Sequence, residues 1–354
     1  MGVHSTELIA VRTGEELNTE RLGRYLSHTL PELFTEEIEI LQFAAGHSNL
    51  TYLVRCGQTE VVLRRAPLGP VAAKAHDMGR EFQVLRAVHP VFALAPKPIL
   101  YCDDDTVIGA PFQIMERRRG IVVDGQWPDE YDTTPQLAKR VSLSQIDTLA
   151  QLHAIDYQST DLGDLVHPDG YLERQVQGWI SRYNRAKTDE IAAANEVMKK
   201  LAAHIPQSPA PTIVHNDLKL NNMLLSQDNP GEVVAVVDWE MATVGDPLTD
   251  LATTLSYWAQ PGDSDAMLHF SGGLEHVPGL ATRADMVEVY AKLTGRDVDN
   301  IGYYLMFATF KVAVICQQIY FRWVRGQTRD ERFAGLGDVA RGLIEYAVEL
   351  VSQF

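Results

Sequence analysis

His215-Asn216-Asp217-Leu218-Lys219-Leu220-Asn221-Asn222 is the stretch from which the chain is best read. Sixteen residues beyond Asn222 a second carboxylate, Asp238, follows an apolar run. Together these residue types can build a phosphoryl-transfer site. Asp217 can accept a proton from a hydroxyl, Asn222 and Asp238 can offer oxygens to a magnesium ion, and Lys219 can neutralise charge on the group in flight. That chemistry depends on positioning and electrostatics, because its transition state is loose and highly charged.

Working outward, Met223 to Leu225 and Val233 to Val237 are short apolar runs split by Asp228-Asn229-Pro230-Gly231, a strong turn signal. A hairpin here carries Asn222 to its start and Asp238 to its end, and is expected to bring both side chains to one edge. N-terminal to these motifs the pattern is strand-like. Ile38, Ile40 and Gln42 alternate, and Thr51–Cys56 and Val61–Arg65 are joined by Gly57-Gln58 as a hairpin. Apolar residues at helical spacing within Ala75–His89 predict a helix, and short strands are expected near Ile99–Tyr101, Val107-Ile108 and Phe112–Met115. Residues 1–35 read as a helical lead-in, with a capping box at Thr13-Gly14-Glu15-Glu16. After a Gly-, Pro- and Asp-rich crossing, helices are expected over 136–156, 169–186, 189–204, 247–259, 283–294, 299–325 and 329–352. The domain reading is an N-terminal lobe over 1–115, a hinge and crossing segment over 116–135, and a C-terminal lobe over 136–354.

The composition is that of a globular protein, 45% apolar and 22% charged over 354 residues. A net charge of −16 argues against a general nucleic-acid binder, which needs clustered Lys and Arg, yet is compatible with ATP when magnesium brings positive charge. Acidity on this scale also suits a cationic acceptor. Three separated cysteines, Cys56, Cys102 and Cys316, suggest a reducing compartment and no zinc site, and the first residues show no signal-peptide pattern, so a cytoplasmic location is expected. The apolar stretch Tyr303–Phe321 has Lys311 at its middle. A lysine at mid-bilayer costs roughly 3 kcal/mol on insertion scales, so this stretch reads as a buried helix and no membrane partner is expected.

From about residue 35 to 325 the chain resembles the aminoglycoside phosphotransferase family of the protein-kinase-like superfamily. It is most similar to the branch that includes the kinase-like domain of some acyl-CoA dehydrogenases. The resemblance implies an α+β, two-lobed protein-kinase-like fold: a small antiparallel-sheet lobe with one main helix, which covers ATP, and a larger helical lobe, which binds the acceptor. It makes Asp217 the catalytic base, places Lys219 near the γ-phosphate, and makes Asn222 and Asp238 the magnesium ligands. His215 and Asp250 are then structural, the latter beneath the catalytic loop. Glu240 lies two residues beyond Asp238, where it can serve a second magnesium or a substrate group or stand at the rim as a solvated acid. Asp246 before Pro247 reads as a helix cap.

On the nucleotide side, Gly46, Ser48 and Asn49 resemble a phosphate-covering loop with a single glycine. Arg64 stands where the family carries a phosphate-binding lysine, with Glu81 as its helix partner; Arg65 is the alternative for that position. Backbone groups near Glu116 and Arg118 resemble the adenine-reading hinge, and Arg117-Arg118-Arg119 reads as a solvated run. His153, on an apolar helix, reads as a packed and hydrogen-bonded core residue. Asp-Phe-Gly and Ala-Pro-Glu segments are missing, which weighs against a protein kinase.

The resulting expectation is ATP- and magnesium-dependent phosphorylation of a small-molecule hydroxyl. A hydroxyacyl-CoA-type metabolite ranks first as acceptor, on the branch resemblance and on the aromatic helix with Tyr303, Tyr304, Phe307, Phe310, Tyr320, Phe321 and Trp323. An aminoglycoside or other antibiotic is the alternative, and a nucleotide-binding pseudokinase with a regulatory role is the second.

Overall fold

Glycine at the left-handed position and a two-residue loop set the tightest hairpin of the N-terminal sheet. Gly57 has φ +55°, and the loop Gly57-Gln58 joins the strands Leu50–Cys56 and Thr59–Arg65, with Cys56 opposite Thr59. The computed structural model describes residues 7–44, 49–68, 77–328 and 330–350. By its internal contacts the chain divides into two units: Met1–Arg119 with Ala235–Met241, and Gly120–Val234 with Ala242–Phe354. The segment carrying Asp238 therefore groups with the first unit.

In the first unit the elements run β1 (Leu8–Ile9), α1 (Thr19–Thr29), β2 (Glu39–Phe43), β3 (Leu50–Cys56), β4 (Thr59–Arg65), α2 (Met78–Val88), β5 (Pro98–Cys102), α3 (Asp105–Ile108) and β6 (Phe112–Glu116). The six strands form one antiparallel sheet in the order β1-β2-β3-β4-β6-β5. Leu22 and Leu26, one helical turn apart on α1, are fully buried in a cluster with Tyr52, Val54, Leu63, Phe112 and Ile114. Helix α2 packs on β5 and β6. Its N-cap Asp77 accepts a hydrogen bond from Arg80 N–H, which fixes where the helix begins and so where Glu81 falls, in its first turn.

Four expectations for this unit are corrected. Residues 12–15 form a turn, Glu15 N–H donating to Arg12 C=O and Gly14 N–H to the Glu16 carboxylate; α1 starts at Thr19 under the cap of Asn18. Upstream of that turn is a strand, β1, which the helical lead-in did not foresee. Val107 and Ile108 belong to a single helical turn, because Asp104 caps Thr106 N–H and Gly109 at φ +84° closes the far end. The arginine run is ion-paired: the Arg117 side chain is 5% exposed and bonds Glu60 and Glu7, and Arg119 bonds Glu60 as well.

The second unit contains α4 (Pro135–His153), α5 (Tyr171–Ala186), α6 (Ala192–Ala203), β7 (Thr212–Val214), β8 (Met223–Leu225), β9 (Val233–Val236, whose last two residues pass into the first unit), β10 (Thr243–Gly245), α7 (Pro247–Ser256), α8 (Asp265–Ser271), α9 (Arg283–Thr294), α10 (Ile301–Val324) and α11 (Leu336–Leu350). Strands β7 and β10 pair antiparallel and were not anticipated, each being only three residues long; α8 was also missed. After the turn at 228–231, Ser226 N–H donates to Glu232 C=O at 2.8 Å. The helix expected from residue 329 begins at Leu336, after a 3-10 turn over Glu331–Phe333. Helix α10 packs against α11, α7 and α5. It is the one helix among the described residues long and apolar enough to cross a membrane, and 67% of its most apolar window is buried inside the protein.

Candidate active site

In the second unit a loop leaves β7 at His215 and is anchored from below by one buried carboxylate. Asp250, in the first turn of α7, accepts backbone N–H bonds from His215 at 2.6 Å and Asn216 at 2.7 Å. It also lies 3.2 Å from His153 Nε2, while His153 Nδ1 is 2.7 Å from Tyr290 Oη. Burial works against the Asp250 charge, but the His153 hydrogen bond, the nearby histidines and the loop amide hold its pKa below the usual carboxylate value. Asp250 therefore serves as the fixed acceptor that shapes the loop. Its helix begins where the sequence pattern placed it, with Asp246 capping Leu248 N–H and Pro247 at the first position.

Asn216 takes φ +64°, a conformation that asparagine tolerates better than most residues. Its side-chain oxygen accepts from Tyr171 Oη at 3.1 Å. The next residue, Asp217, is held at both carboxylate oxygens: Asn222 Nδ2 donates to Oδ2 at 2.8 Å, and Lys219 Nζ lies 3.2 Å from Oδ1. Asn222 Nδ2 also donates to Asp217 C=O at 2.8 Å, so its amide oxygen points away from the base. Lys219 Nζ is 4.3 Å from the centre of the Tyr257 ring, a cation–π contact that steadies the ammonium. The structure thus brings Asp217, Lys219 and Asn222 together, with His215 and Asp250 beneath them.

In the first unit, a second cluster forms around Arg64. Its Nη1 donates to Glu81 Oε1 at 2.7 Å and its Nη2 to Asp238 Oδ1 at 2.9 Å. Arg65 points elsewhere and donates to Ile108 C=O, so the alternation of β4 assigns the helix-glutamate pair to Arg64. Gln113 Nε2 holds the other Glu81 oxygen at 2.6 Å. Burial, with Asp238 and Glu240 adding like charge, pushes the Glu81 carboxyl up to about 7, while Arg64 opposes the shift. The same carboxylates outweigh burial at Arg64 and raise its guanidinium further, so it stays charged.

Asp238 has φ +67°; it and Asn216 are the two non-glycine residues with positive φ among the described residues. Strained backbone of this kind concentrates at functional sites. Glu240 accepts from Asn49 Nδ2 at 3.0 Å, and its carbonyl accepts from Arg80 Nη1 at 3.0 Å. Gly46 and Ser48 lie outside the described residues. At the end of β6, Glu116 N–H is taken by Lys97 C=O and its carboxylate pairs with Arg118, which also bonds Ala93 C=O.

Among the described residues no group of three or more His, Cys, Asp or Glu side chains is arranged to hold a metal ion. Asp238 taken alone is a hard oxygen donor of the kind magnesium accepts, since that ion takes one or two protein carboxylates and completes its shell with phosphate and water oxygens. Sequence reasoning missed Gln113, Tyr171, Tyr257, Tyr290 and Arg80 as supports of these groups. None of them belongs to a motif, and each acts through a contact between residues distant in sequence.

The profile of the Phosphotransferase enzyme family (APH) matches residues 39–285, and the chain belongs to that family. Acyl-CoA dehydrogenase family member 10 of Mus musculus is 30% identical over 354 residues, covering 100% of this chain and 33% of the relative. Member 11 of Homo sapiens is 30% identical, covering 98% of this chain and 44% of the relative. The chain therefore spans less than half the length of these curated relatives. A solved candidate aminoglycoside phosphotransferase from Ralstonia eutropha JMP134 superposes with a TM-score of 0.80 at 30% identity, over 96% of this chain and 99% of the other. Choline kinase from Cryptosporidium parvum Iowa II gives 0.63 at 14% identity over 95% and 96%, and aminoglycoside phosphotransferase APH(4)-Ia, solved with ADP and hygromycin B, gives 0.56 at 15% over 93% and 98%; both show the kinase-like fold.

Proposed function

We propose that the protein transfers the γ-phosphoryl group of ATP, with magnesium, to a hydroxyl of a small molecule. The observation that carries this is Asp217, a carboxylate held by Asn222 and Lys219 on a loop fixed by buried Asp250. Asp217 orients the acceptor hydroxyl and takes its proton. Lys219 balances phosphate charge. Asn222 and Asp238 are the proposed magnesium ligands, and Arg64 clamps phosphate oxygens in place of a lysine, with a fork that suits bidentate contact. Magnesium, when bound, neutralises the phosphate oxygens. Glu81 positions Arg64, and Asn49 positions Glu240.

For the acceptor, relatives named as acyl-CoA dehydrogenase family members point toward an acyl-CoA-type compound, and since transfer needs a hydroxyl, a hydroxyacyl-type metabolite is the first reading. Four of the helix aromatics lend no support, because Tyr304, Phe307 and Phe310 of α10 are core residues and Tyr303 Oη donates to Leu201 C=O. An antibiotic acceptor is the second reading, favoured by the Ralstonia neighbour. The test is incubation with ATP, magnesium and a broad panel of hydroxyl compounds, read by mass spectrometry for gain of one phosphoryl unit. Nucleotide binding with no transfer to any acceptor would favour the regulatory pseudokinase and sink this reading.

A further inference from the structure

Helix α5 turns Trp179 and Arg182 to one face, three residues apart. Arg182 stacks on the indole with its guanidinium carbon 4.6 Å from the ring centre, and Lys311 of α10 places its ammonium 5.9 Å from the same ring. Lys311 Nζ also donates to Asn216 C=O at 3.3 Å, one residue before the proposed base. Both cationic side chains are partly exposed, whereas Trp179 is 8% exposed.

Among the described residues neither Arg182 nor Lys311 has a carboxylate within ion-pair distance. The nearby acids are already engaged, Asp217 by Lys219 and Asn222, and Asp250 by His153 and two loop amides. Arg185, one turn beyond Arg182, adds charge of the same sign. Burial depresses Lys311, with Asp217 and Asp250 opposing and the neighbouring cations Lys219 and Arg182 adding to the depression.

We propose that Arg182 and Lys311, gathered on Trp179, form a subsite for an anionic group of the acceptor whose hydroxyl Asp217 activates. The proposal rests on the phosphotransferase reading and narrows its substrate. A carboxylate or phosphate ester would supply the missing counter-charge and pair with the guanidinium fork. A polycationic acceptor would meet like charge there. The net charge of −16 suggested the opposite preference, but it is the charge lining the site that an acceptor meets.

The test compares matched acceptors: hydroxy acids, their neutral amides, their coenzyme A thioesters, hydroxyl-bearing phosphate monoesters and amino alcohols. Phosphoryl transfer is followed by mass spectrometry and binding by calorimetry. Anionic acceptors should exceed neutral ones in kcat/KM by about tenfold or more, the scale of one charge-assisted hydrogen bond. Arg182→Gln and Lys311→Met should each shrink that ratio toward unity, and Arg182→Lys should keep part of it. A clamp on the loop alone would slow all acceptors equally and leave the ratio intact, which would overturn the subsite. Equal or better use of neutral or cationic acceptors would overturn it too. Preference for free acids assigns a carboxylate, and preference for thioesters or monoesters assigns phosphate. If acids bind through Arg182 but no acceptor is phosphorylated, the phosphotransferase reading fails and the subsite stands.

Discussion

Arg64 shows how one side chain can tie a unit's chemistry to its stability. It bridges two carboxylates that would otherwise repel each other, Glu81 on α2 and Asp238 at a strained backbone position. Removing one partner of a buried ion pair leaves the other uncompensated, so Arg64→Met should cost about 3 kcal/mol in urea unfolding at alkaline pH. Arg64→Lys should recover part of that loss. The sequence pattern located Arg64 only to within one residue, because β-strand facing cannot be read without the register. It located Asp217, Lys219 and Asn222 directly, because they share one short loop. Lys311 stood out as a charge in an apolar run, but its partner ring on α5 could not be seen from the sequence.

At the scale of elements, the loop after β7 depends on α7 for its shape and on β10 for its space. Asp250→Asn replaces a full acceptor with an amide that turns an N–H toward one of the two backbone donors. We expect a loss of about 3 kcal/mol, read by denaturant titration, and a larger fall in phosphoryl transfer than in nucleotide affinity. Gly245 lies so close to Tyr171 that a Cβ there would sit 2.7 Å from its ring. Gly245→Ala should therefore push Tyr171 off Asn216 and cost roughly 1–3 kcal/mol. Helix α2 carries the pH-sensitive group. Because folding raises Glu81 from the ordinary carboxylate range to about 7, its protonated form is the one the fold favours. That stability is fully present below the ordinary carboxylate value and is lost as pH rises through about 7. Denaturation midpoints from acid to mildly alkaline pH should fall more in the wild type than in Glu81→Gln; parallel curves would remove Glu81 from the account. The long periodic elements were legible in the sequence. The short elements β1, α3, β7 and β10 were not, since caps and partners from elsewhere in the chain decide them, whereas β8 and β9, equally short, were legible because a strong turn signal separates two apolar runs.

For the whole molecule, family membership and the kinase-like fold give one expectation that does not need the acceptor. ADP or a non-hydrolysable ATP analogue with magnesium should raise the melting temperature, and a chelator should remove the part of the shift that depends on metal. Asp238→Asn should reduce that metal-dependent part more than it reduces binding of the nucleotide alone. An equal shift with and without magnesium would argue against Asp238 as a metal ligand. The central claim is narrower, that Asp217 handles the acceptor's proton. It is tested most directly by single-turnover phosphoryl transfer in Asp217→Asn, using the best acceptor from the mass-spectrometric panel and a nucleotide-saturated enzyme. The rate should fall by about 10²–10⁴-fold while nucleotide affinity holds; a rate near that of the wild type would contradict the account.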